Sequence, residues 1–285
     1  MTPKTPSMEK VAIVTGANQG LGFALAEGLA QQLGPEDTVY LTGRDSMRIR
    51  AAVARIANAR AAVRGELLDV RDGAAVGAFA DAIRARHGGV DIVFSNAAAR
   101  LVPATPSAEL VAPFVETNNL GTTRMLRAFG PILRPSGRLL VVASAFGSLR
   151  ELPSNLHGRF DTDVMSLDDV DTTMLAWSDA VVGGRAHTEG WPEWINIPSK
   201  VGQVAAARVL ARQRRAADAI DGTLVAAICP GLVDTDASRP GFEDMSAAQT
   251  PAEAAIAPLR LALDRATDPS VYGELVQFGK VIPWR

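Results

Sequence analysis

The peptide VAIVTGANQGLG, at residues 11–22 of this 285-residue chain, joins a short apolar run to a turn with three closely spaced glycines. An amphipathic pattern begins at its end, so the predicted order is a strand, a loop and a helix. Gly16 permits a tight turn, Gly20 lets backbone amides approach an anion, and Gly22 lets the helix pack close to the strand. We therefore expect the pyrophosphate of a dinucleotide at this helix N-terminus, where unpaired amides and the macrodipole favour negative charge.

The glycine spacing alone leaves an ordinary glycine-rich turn open as an alternative. The spacing is Gly-x-x-x-Gly-x-Gly rather than the commoner Gly-x-Gly-x-x-Gly. The context favours a nucleotide site, because the turn follows a first strand and opens a helix near the start of the chain.

Composition and charge narrow the class of protein. With 47% apolar and 21% charged residues the chain can bury a substantial core, and we expect one α/β domain over residues 11–285. A net charge of −2 provides no basic surface for nucleic acid or an anionic membrane, and no apolar run is long enough to span a bilayer. Residues 1–10 lack the apolar core of a secretory signal and are predicted to be a flexible tail.

The single cysteine, Cys229, excludes an internal disulfide and fits a reducing compartment. We expect a soluble, cytoplasmic protein without a metal site.

Helical and strand patterns alternate along most of the chain. Apolar residues at 21, 25, 29 and 33 form one face of the first helix. Further strands are predicted at residues 38–42, 62–70, 90–95, 138–144, 223–228 and 274–278, and further helices at 46–60, 73–86, 113–133 and 199–212. Because helix-length crossovers join the strands, we expect a Rossmann-type, doubly wound parallel sheet of about seven strands in a three-layer α/β/α fold.

The end of the second strand bears on the choice between NAD(H) and NADP(H). NAD-binding folds usually place an acidic residue there, which accepts hydrogen bonds from the adenosine ribose. Here Gly43 holds that place and Arg44 follows it, so a guanidinium can pair with a 2′-phosphate. This pattern predicts NADP(H). The alternative is that Arg44 is a solvated loop charge beside Asp45.

Two polar residues end strands at the edge where ligands bind in open α/β sheets. Asp69 can accept a hydrogen bond from the adenine amine. Its alternative role is as the N-cap of the next helix, although Asp72 is better placed for that role. Ser144 is a candidate site residue, although a serine that ends a strand often only caps the next turn.

About fifty residues, at about 145–194, interrupt the alternation, and we expect this insertion to lie near the substrate site. It contains a predicted helix at residues 167–182. Near its end, Trp191 and Trp194 can either line a substrate pocket or anchor the insertion to the core.

These motifs together resemble the short-chain dehydrogenase/reductase superfamily over nearly the whole chain, and its monomeric carbonyl-reductase type most closely. The family's cofactor contacts map onto the glycine-rich loop, an adenine-contacting turn, a weakened Asn-Asn-Ala-Gly strand end and a loop that holds the nicotinamide carboxamide: Gly16, Asn18, Gln19, Gly20, Leu21 and Gly22; Leu68, Asp69 and Val70; Asn96 and Ala97; Pro230, Gly231, Val233 and Thr235. The peptide EGWP at residues 189–192 marks the carbonyl-reductase branch, in which the insertion covers the usual dimer face. The resemblance thus implies a monomer that acts on a small molecule.

The resemblance also implies an active site. Asn118 falls on the family's helix asparagine and Ser144 on its catalytic serine, while Lys200 falls on the lysine of its Tyr-x-x-x-Lys motif and also contacts the cofactor. The tyrosine position is occupied by Asn196.

No other tyrosine in the chain restores the motif. The chain has two tyrosines, Tyr40 and Tyr272, and the residues four positions later are Arg44 and Val276.

In the family, the tyrosine protonates the carbonyl oxygen as a hydride arrives from the nicotinamide, and the lysine holds the ribose hydroxyls. The serine orients the carbonyl, and the helix asparagine anchors a water relay. Asn196 can donate a hydrogen bond but cannot give up a proton near neutral pH. Because loss of a general acid costs about 10²–10⁴ in rate, cofactor binding should survive the substitution better than turnover.

Three classes of function follow. The favoured one is an NADPH-dependent reductase of a small organic or secondary-metabolite substrate, either a carbonyl or an iminium formed from a hemiaminal, which needs no proton from the tyrosine position. For a ketone, His187 or a water held by Ser144 and Asn118 would have to supply the proton.

The second class is a repurposed non-redox biosynthetic enzyme that retains NADP(H), such as a cyclase, dehydratase or isomerase, in which Asn196 and Ser144 polarise an oxygen. The third is a non-catalytic NADP(H)-binding protein.

Overall fold

The computed structural model describes residues 9–264 and 268–285. Within them, eight strands form one sheet: β1 (Val11–Val14), β2 (Thr38–Gly43), β3 (Ala62–Leu67), β4 (Val90–Ser95), β5 (Leu133–Val142), β6 (Leu224–Cys229), β7 (Leu275–Gln277) and β8 (Lys280–Ile282). Their order across the sheet is β3-β2-β1-β4-β5-β6-β7-β8. The direction of winding reverses between β1 and β4, so the carboxyl ends of these two strands flank the point where open α/β sheets bind ligands.

The first seven strands are parallel, which confirms the predicted doubly wound sheet. The eighth strand, β8, runs antiparallel to β7 and was not predicted. Phe278 and Gly279 connect the two strands and both have positive φ angles, 49° and 77°, as a two-residue hairpin turn requires. The three residues of β8 are largely exposed, and a segment of this length is too short for its hydrophobic pattern to predict a strand.

Eight α-helices cover the two faces of the sheet in the described part of the chain: α1 (Gly20–Gln32), α2 (Ser46–Arg55), α3 (Gly73–His87), α4 (Ser107–Phe114), α5 (Gly121–Phe129), α6 (Leu167–Val182), α7 (Asn196–Asp221) and α8 (Pro251–Leu263). The Asp72 carboxylate accepts from the Ala75 amide, which confirms it as the N-cap of α3. Among the described residues, none of the helices combines the length and apolarity that crossing a membrane requires.

Alternation along the strands divides the core into two layers. Val11 and Ile13 of β1 face one hydrophobic cluster, which includes apolar residues of α3, α5 and α7. Ala12 and Val14 face the other cluster, which includes residues of α1, α2 and α8. Both faces of β1 are therefore buried, and this three-layer arrangement confirms the predicted fold class.

The predicted single helix at residues 113–133 is wrong. The chain follows α4 to Phe114, makes a π-helical turn at Val115–Leu120, and continues as α5 to Phe129. Pro113 lies inside α4 and has no amide hydrogen to donate, which weakens regular i to i−4 bonding at this point. The wider turn buries both Asn118 and Asn119.

The insertion at residues 145–194 packs onto the α7 layer of the core through short 3₁₀ turns and α6. Trp177 of α6 is fully buried, and its ring centroid lies 6.1 Å from that of Trp191, which in turn lies 6.3 Å from Phe160. Trp191 therefore anchors the insertion to the core, which is one of the two roles predicted for the tryptophans. Of the tail predicted to be flexible, residues 1–8 lie outside the described residues, while the Lys10 amide donates to Asp37 at 2.8 Å.

Trp177→Ala should lower the free energy of unfolding by about 3–5 kcal/mol, because it leaves a large cavity between α6 and the core. Urea denaturation followed by circular dichroism measures this change. Leu175→Ala, on the exposed face of the same helix, is the control and should change stability by less than about 0.5 kcal/mol. Equal losses in the two variants would mean that the insertion is not held by this tryptophan.

Candidate active site and cofactor cleft

The loop after β1 brings the backbone of two strands into close contact. Gly16 has φ +62°, and a Cβ atom there would lie 2.8 Å from Cα of Ala97, just after β4. The Thr15 hydroxyl oxygen accepts from the amides of Asn96 and Ala97 at 2.9 and 3.0 Å. A Cβ on Gly22 would lie 2.5 Å from the Asn96 side chain. Gly16 and Gly22 are thus required by a close approach between the segments that follow β1 and β4.

The N-terminus of α1 is open to an anion. Helix α1 begins at Gly20, Gln19 provides no side-chain cap, and the first turn, which includes Leu21, has no acidic residue. Its first amides and the positive end of the macrodipole are therefore not neutralised by a side chain of the described residues. These features fit the pyrophosphate of a dinucleotide.

The end of β2 presents Arg44 to solvent. A Cβ on Gly43 would lie 3.4 Å from Oδ1 of Asn18, so the β1 loop and the end of β2 are neighbours. The Asp45 carboxylate accepts from the amides of Met47 and Arg48 and is the N-cap of α2. Arg44 is exposed and has no ion pair among the described residues. Its guanidinium is available to an anion at this edge of the cleft.

Asp69 lies in the turn after β3, between the buried residues Leu68 and Val70. The Arg71 guanidinium donates to its carboxylate at 2.6 Å and, with a smaller contribution from Arg44, holds the pKa of Asp69 below its usual value. The alternative that Asp69 caps the next helix is therefore not realised.

A buried amide ties the π-helical turn to α7. Asn118 is fully buried: its Oδ1 accepts from the Ala99 amide at 2.8 Å, and its Nδ2 donates to the Ser199 hydroxyl at 3.1 Å. Nδ2 of Asn119 donates to the Ser199 carbonyl at 2.8 Å. The turn, the segment after β4 and the first turn of α7 are thereby fixed relative to one another.

Lys200 lies on α7 one residue after this contact. Its Nζ donates to Oε1 of Gln203 at 2.8 Å. Burial lowers the pKa of Lys200 to about 8, which the nearby Cys229 partly offsets. Burial in turn raises the pKa of the Cys229 thiol, so this cysteine is a small buried residue rather than a reactive one.

Ser144 lies two residues beyond β5, on a half-buried 3₁₀ turn that packs against α7. Its hydroxyl accepts from the Phe146 amide at 3.4 Å, so it caps this turn, as the alternative reading of its position predicted. A Cβ on Gly147 would lie 3.0 Å from the Lys200 carbonyl oxygen. The fold therefore brings Ser144 and Lys200 to neighbouring elements.

Asn196 is the first residue of α7, four positions before Lys200. Its half-buried side chain makes no hydrogen bond to the described residues. The two tyrosines of the chain bond to other groups: the Tyr40 hydroxyl is 2.8 Å from His87, and the Tyr272 hydroxyl donates to Asp218 and to the Ala211 carbonyl.

The loop after β6 reaches the glycine-rich loop. A Cβ on Gly20 would lie 3.2 Å from the Thr235 methyl group, so this segment adjoins the N-terminus of α1. Gly231 has φ +84°, Gln249 donates to the Pro230 carbonyl at 3.2 Å, and Val233 is buried. The predicted carboxamide-binding segment is thus held beside the N-terminus of α1.

Three half-buried aromatic side chains meet beside these elements. The ring of Phe146 lies 4.8 Å from that of Trp194 and 6.4 Å from that of Phe242, and the latter two rings are 5.9 Å apart. Sequence reasoning named Trp194 but missed Phe146 and Phe242, because the trio comes from three separate segments. Trp194 thus differs from Trp191, which belongs to the core.

Asn118→Ala should lower the free energy of unfolding by about 1–3 kcal/mol, because the Ala99 amide and the Ser199 hydroxyl lose a buried partner. Thermal or urea unfolding measures the loss, and Asn155→Ala, at an exposed position, is the matched control. Similar stabilities of the two variants would contradict a structural role for the Asn118 amide.

Comparison with known proteins places these features in a family. A family model described as short chain dehydrogenase matches residues 10–154. Carbonyl reductase [NADPH] 1 of Sus scrofa is 31% identical over 285 residues, covering 98% of this chain and 95% of the relative. Carbonyl reductase [NADPH] 3 of Rattus norvegicus is 32% identical, covering 98% and 99% of the two chains.

A solved structure shows the same fold. Salutaridine reductase from Papaver somniferum superposes with a TM-score of 0.78 at 24% identity, covering 94% of this chain and 99% of that protein.

Proposed function

Because this chain belongs to the short-chain dehydrogenase family, we propose that it is an NADPH-dependent reductase of a small organic or secondary-metabolite substrate. The observation that carries the proposal is the pairing of a tight glycine loop and an uncapped α1 N-terminus with Asn196 at the position four residues before Lys200. The two relatives are named as NADPH-dependent carbonyl reductases, which supports both the cofactor and the reaction class.

Each part of the cofactor has a complementary group in the cleft. The open N-terminus of α1 and the glycine loop would hold the pyrophosphate, and Arg44 would pair with the 2′-phosphate. Lys200 would donate to the nicotinamide ribose, and the segment around Thr235 would hold the carboxamide. When bound, NADPH supplies a hydride from C4 of its nicotinamide.

The substrate that best fits Asn196 is an iminium formed by dehydration of a hemiaminal. Such a substrate needs a hydride and no proton, because the C=N π electrons become the lone pair of a neutral amine as the new C–H bond forms. Asn196 would then orient the substrate with its free amide, and Ser144 would lie beside it.

The residues offered as substitute proton donors support this choice. The Asn118 side chain is fully buried and bonded to protein groups through both polar atoms, so it does not present a free group to solvent that would hold a proton-donating water. His187 is exposed and makes no side-chain hydrogen bond within the described part of the chain, so nothing there directs it toward Asn196.

Arg44→Ala should weaken NADPH binding by about 10- to 100-fold, because a charge-assisted phosphate contact contributes about 1.5–3 kcal/mol. NADH affinity should change by less than about threefold. Fluorescence titration of both dinucleotides measures the difference, and Arg50→Ala, another exposed arginine nearby on α2, is the control. An equal effect on the two cofactors would contradict the 2′-phosphate assignment.

Asn196→Tyr should create ketone reductase activity, with kcat raised by about 10²–10⁴ over the parent, because a general acid is restored. NADPH oxidation in the presence of a panel of ketones measures this gain. Asn196→Phe is the matched control, since it adds the ring without the hydroxyl and should gain nothing. If the wild-type protein fails to bind NADPH at all, the reductase proposal is wrong.

A further inference from the structure

Gln203 is a buried polar residue that the proposed reaction does not use. It is 1% exposed and lies on α7 among the apolar residues Val201, Val204 and Ala205. Its amide bonds at both ends: Oε1 accepts from Nζ of Lys200 at 2.8 Å, and Nε2 donates to the Thr122 hydroxyl oxygen at 3.2 Å. A buried amide costs desolvation energy that an apolar residue at this position would not.

The direction of the hydrogen bonds fixes which end of the amide faces Lys200. The Thr122 hydroxyl donates to the Asn118 carbonyl at 2.5 Å, so its oxygen is left to accept from Gln203. The amide nitrogen must therefore face Thr122, and the amide oxygen must face the lysine. A one-way series of donors runs from Lys200 through Gln203 and Thr122 to the Asn118 carbonyl.

This series of hydrogen bonds restrains the Lys200 side chain, whose four-carbon stem otherwise rotates freely. On the other side of Lys200, one turn earlier, the Asn196 side chain makes no hydrogen bond to the described residues. The titratable group that acts on the Lys200 amine is the buried Cys229 at the end of β6. An ammonium has three N–H donors, so the bond to Gln203 leaves two of them for a ligand.

We propose that Gln203 is a positioning residue, which holds the Lys200 amine with two donors directed at the vicinal hydroxyls of the cofactor ribose. This inference rests on the proposed function, because it assumes that a dinucleotide occupies the cleft. Ordering the lysine before binding removes part of the entropy cost of ordering it in the complex.

The first experiment needs no cofactor. The chain has four lysines, so ¹⁵N-lysine labelling gives a small set of Nζ signals, and the Lys200→Met variant identifies the signal of Lys200. In Gln203→Leu this amine should titrate at a pH lower than in the wild type by about one unit, since the acceptor that stabilises its charged form is gone. Gln213→Leu, an exposed glutamine on the same helix, should leave the titration unchanged.

The second experiment is a double-mutant cycle on NADPH affinity. Gln203→Leu should weaken NADPH binding about three- to tenfold in the wild-type background and have no effect in the Lys200→Met background. A merely structural role would weaken binding equally in both backgrounds, and that result would overturn the inference. If Gln203→Leu does not fold, Thr122→Val releases the other end of the amide and should act in the same direction.

The two proposals fail in different ways. An unchanged Lys200 titration with normal NADPH binding would refute the role of Gln203 and leave the reductase function standing. If the wild-type protein binds no NADPH, the proposed function fails and the positioning role toward the ribose fails with it. The titration would then still show whether Gln203 holds the amine.

Discussion

The buried Asn118 amide is the constraint on which the arrangement of the candidate site depends. One acceptor and one donor on a single side chain connect the segment after β4 to the first turn of α7. Neither contact can exchange with water, because Asn118 is fully buried. The register of α7 therefore follows from this residue, and with it the positions of Asn196 and Lys200 one turn apart along the helix.

The π-helical turn explains how one helix can direct two consecutive asparagines at the same partner. In a regular α-helix, consecutive side chains point about 100° apart, so Asn118 and Asn119 could not both reach Ser199 easily. The wider turn lets Asn118 bond the Ser199 hydroxyl and Asn119 the Ser199 carbonyl. A π-helical turn is uncommon and less favourable locally, and here two buried hydrogen bonds offset its cost.

The features that sequence predicted well are those that local chemistry determines. The strand, loop and helix at residues 11–32 and the Asp72 N-cap depend on residues close together in the chain. The π turn could not be predicted, because its partner Ser199 is 81 residues from Asn118. The role of Gln203 could not be predicted for the same reason, because its polar side chain can be interpreted only once the fold places Thr122 against it.

The candidate site residues show the same division. The positions of Ser144, Lys200 and Asn196 followed from motifs, but the state of each side chain did not. That Asn196 has no partner in the described structure, while Lys200 is already bonded to Gln203, depends on which elements pack against α7. The aromatic trio of Phe146, Trp194 and Phe242 likewise exists only because three segments that are distant in sequence meet.

Under the proposed function, the electrostatics of α7 connect Asn196 to the choice of substrate. Its first turn has no acidic residue, so the positive end of its macrodipole and the Lys200 amine both oppose positive charge nearby. An iminium loses its charge as it accepts a hydride, so this environment destabilises the substrate more than the transition state and favours the chemical step. A ketone would also gain, because the same field stabilises the oxyanion, but that oxyanion must then be protonated. Asparagine stabilises charge without transferring a proton, and under the proposed function this limit separates the two substrates.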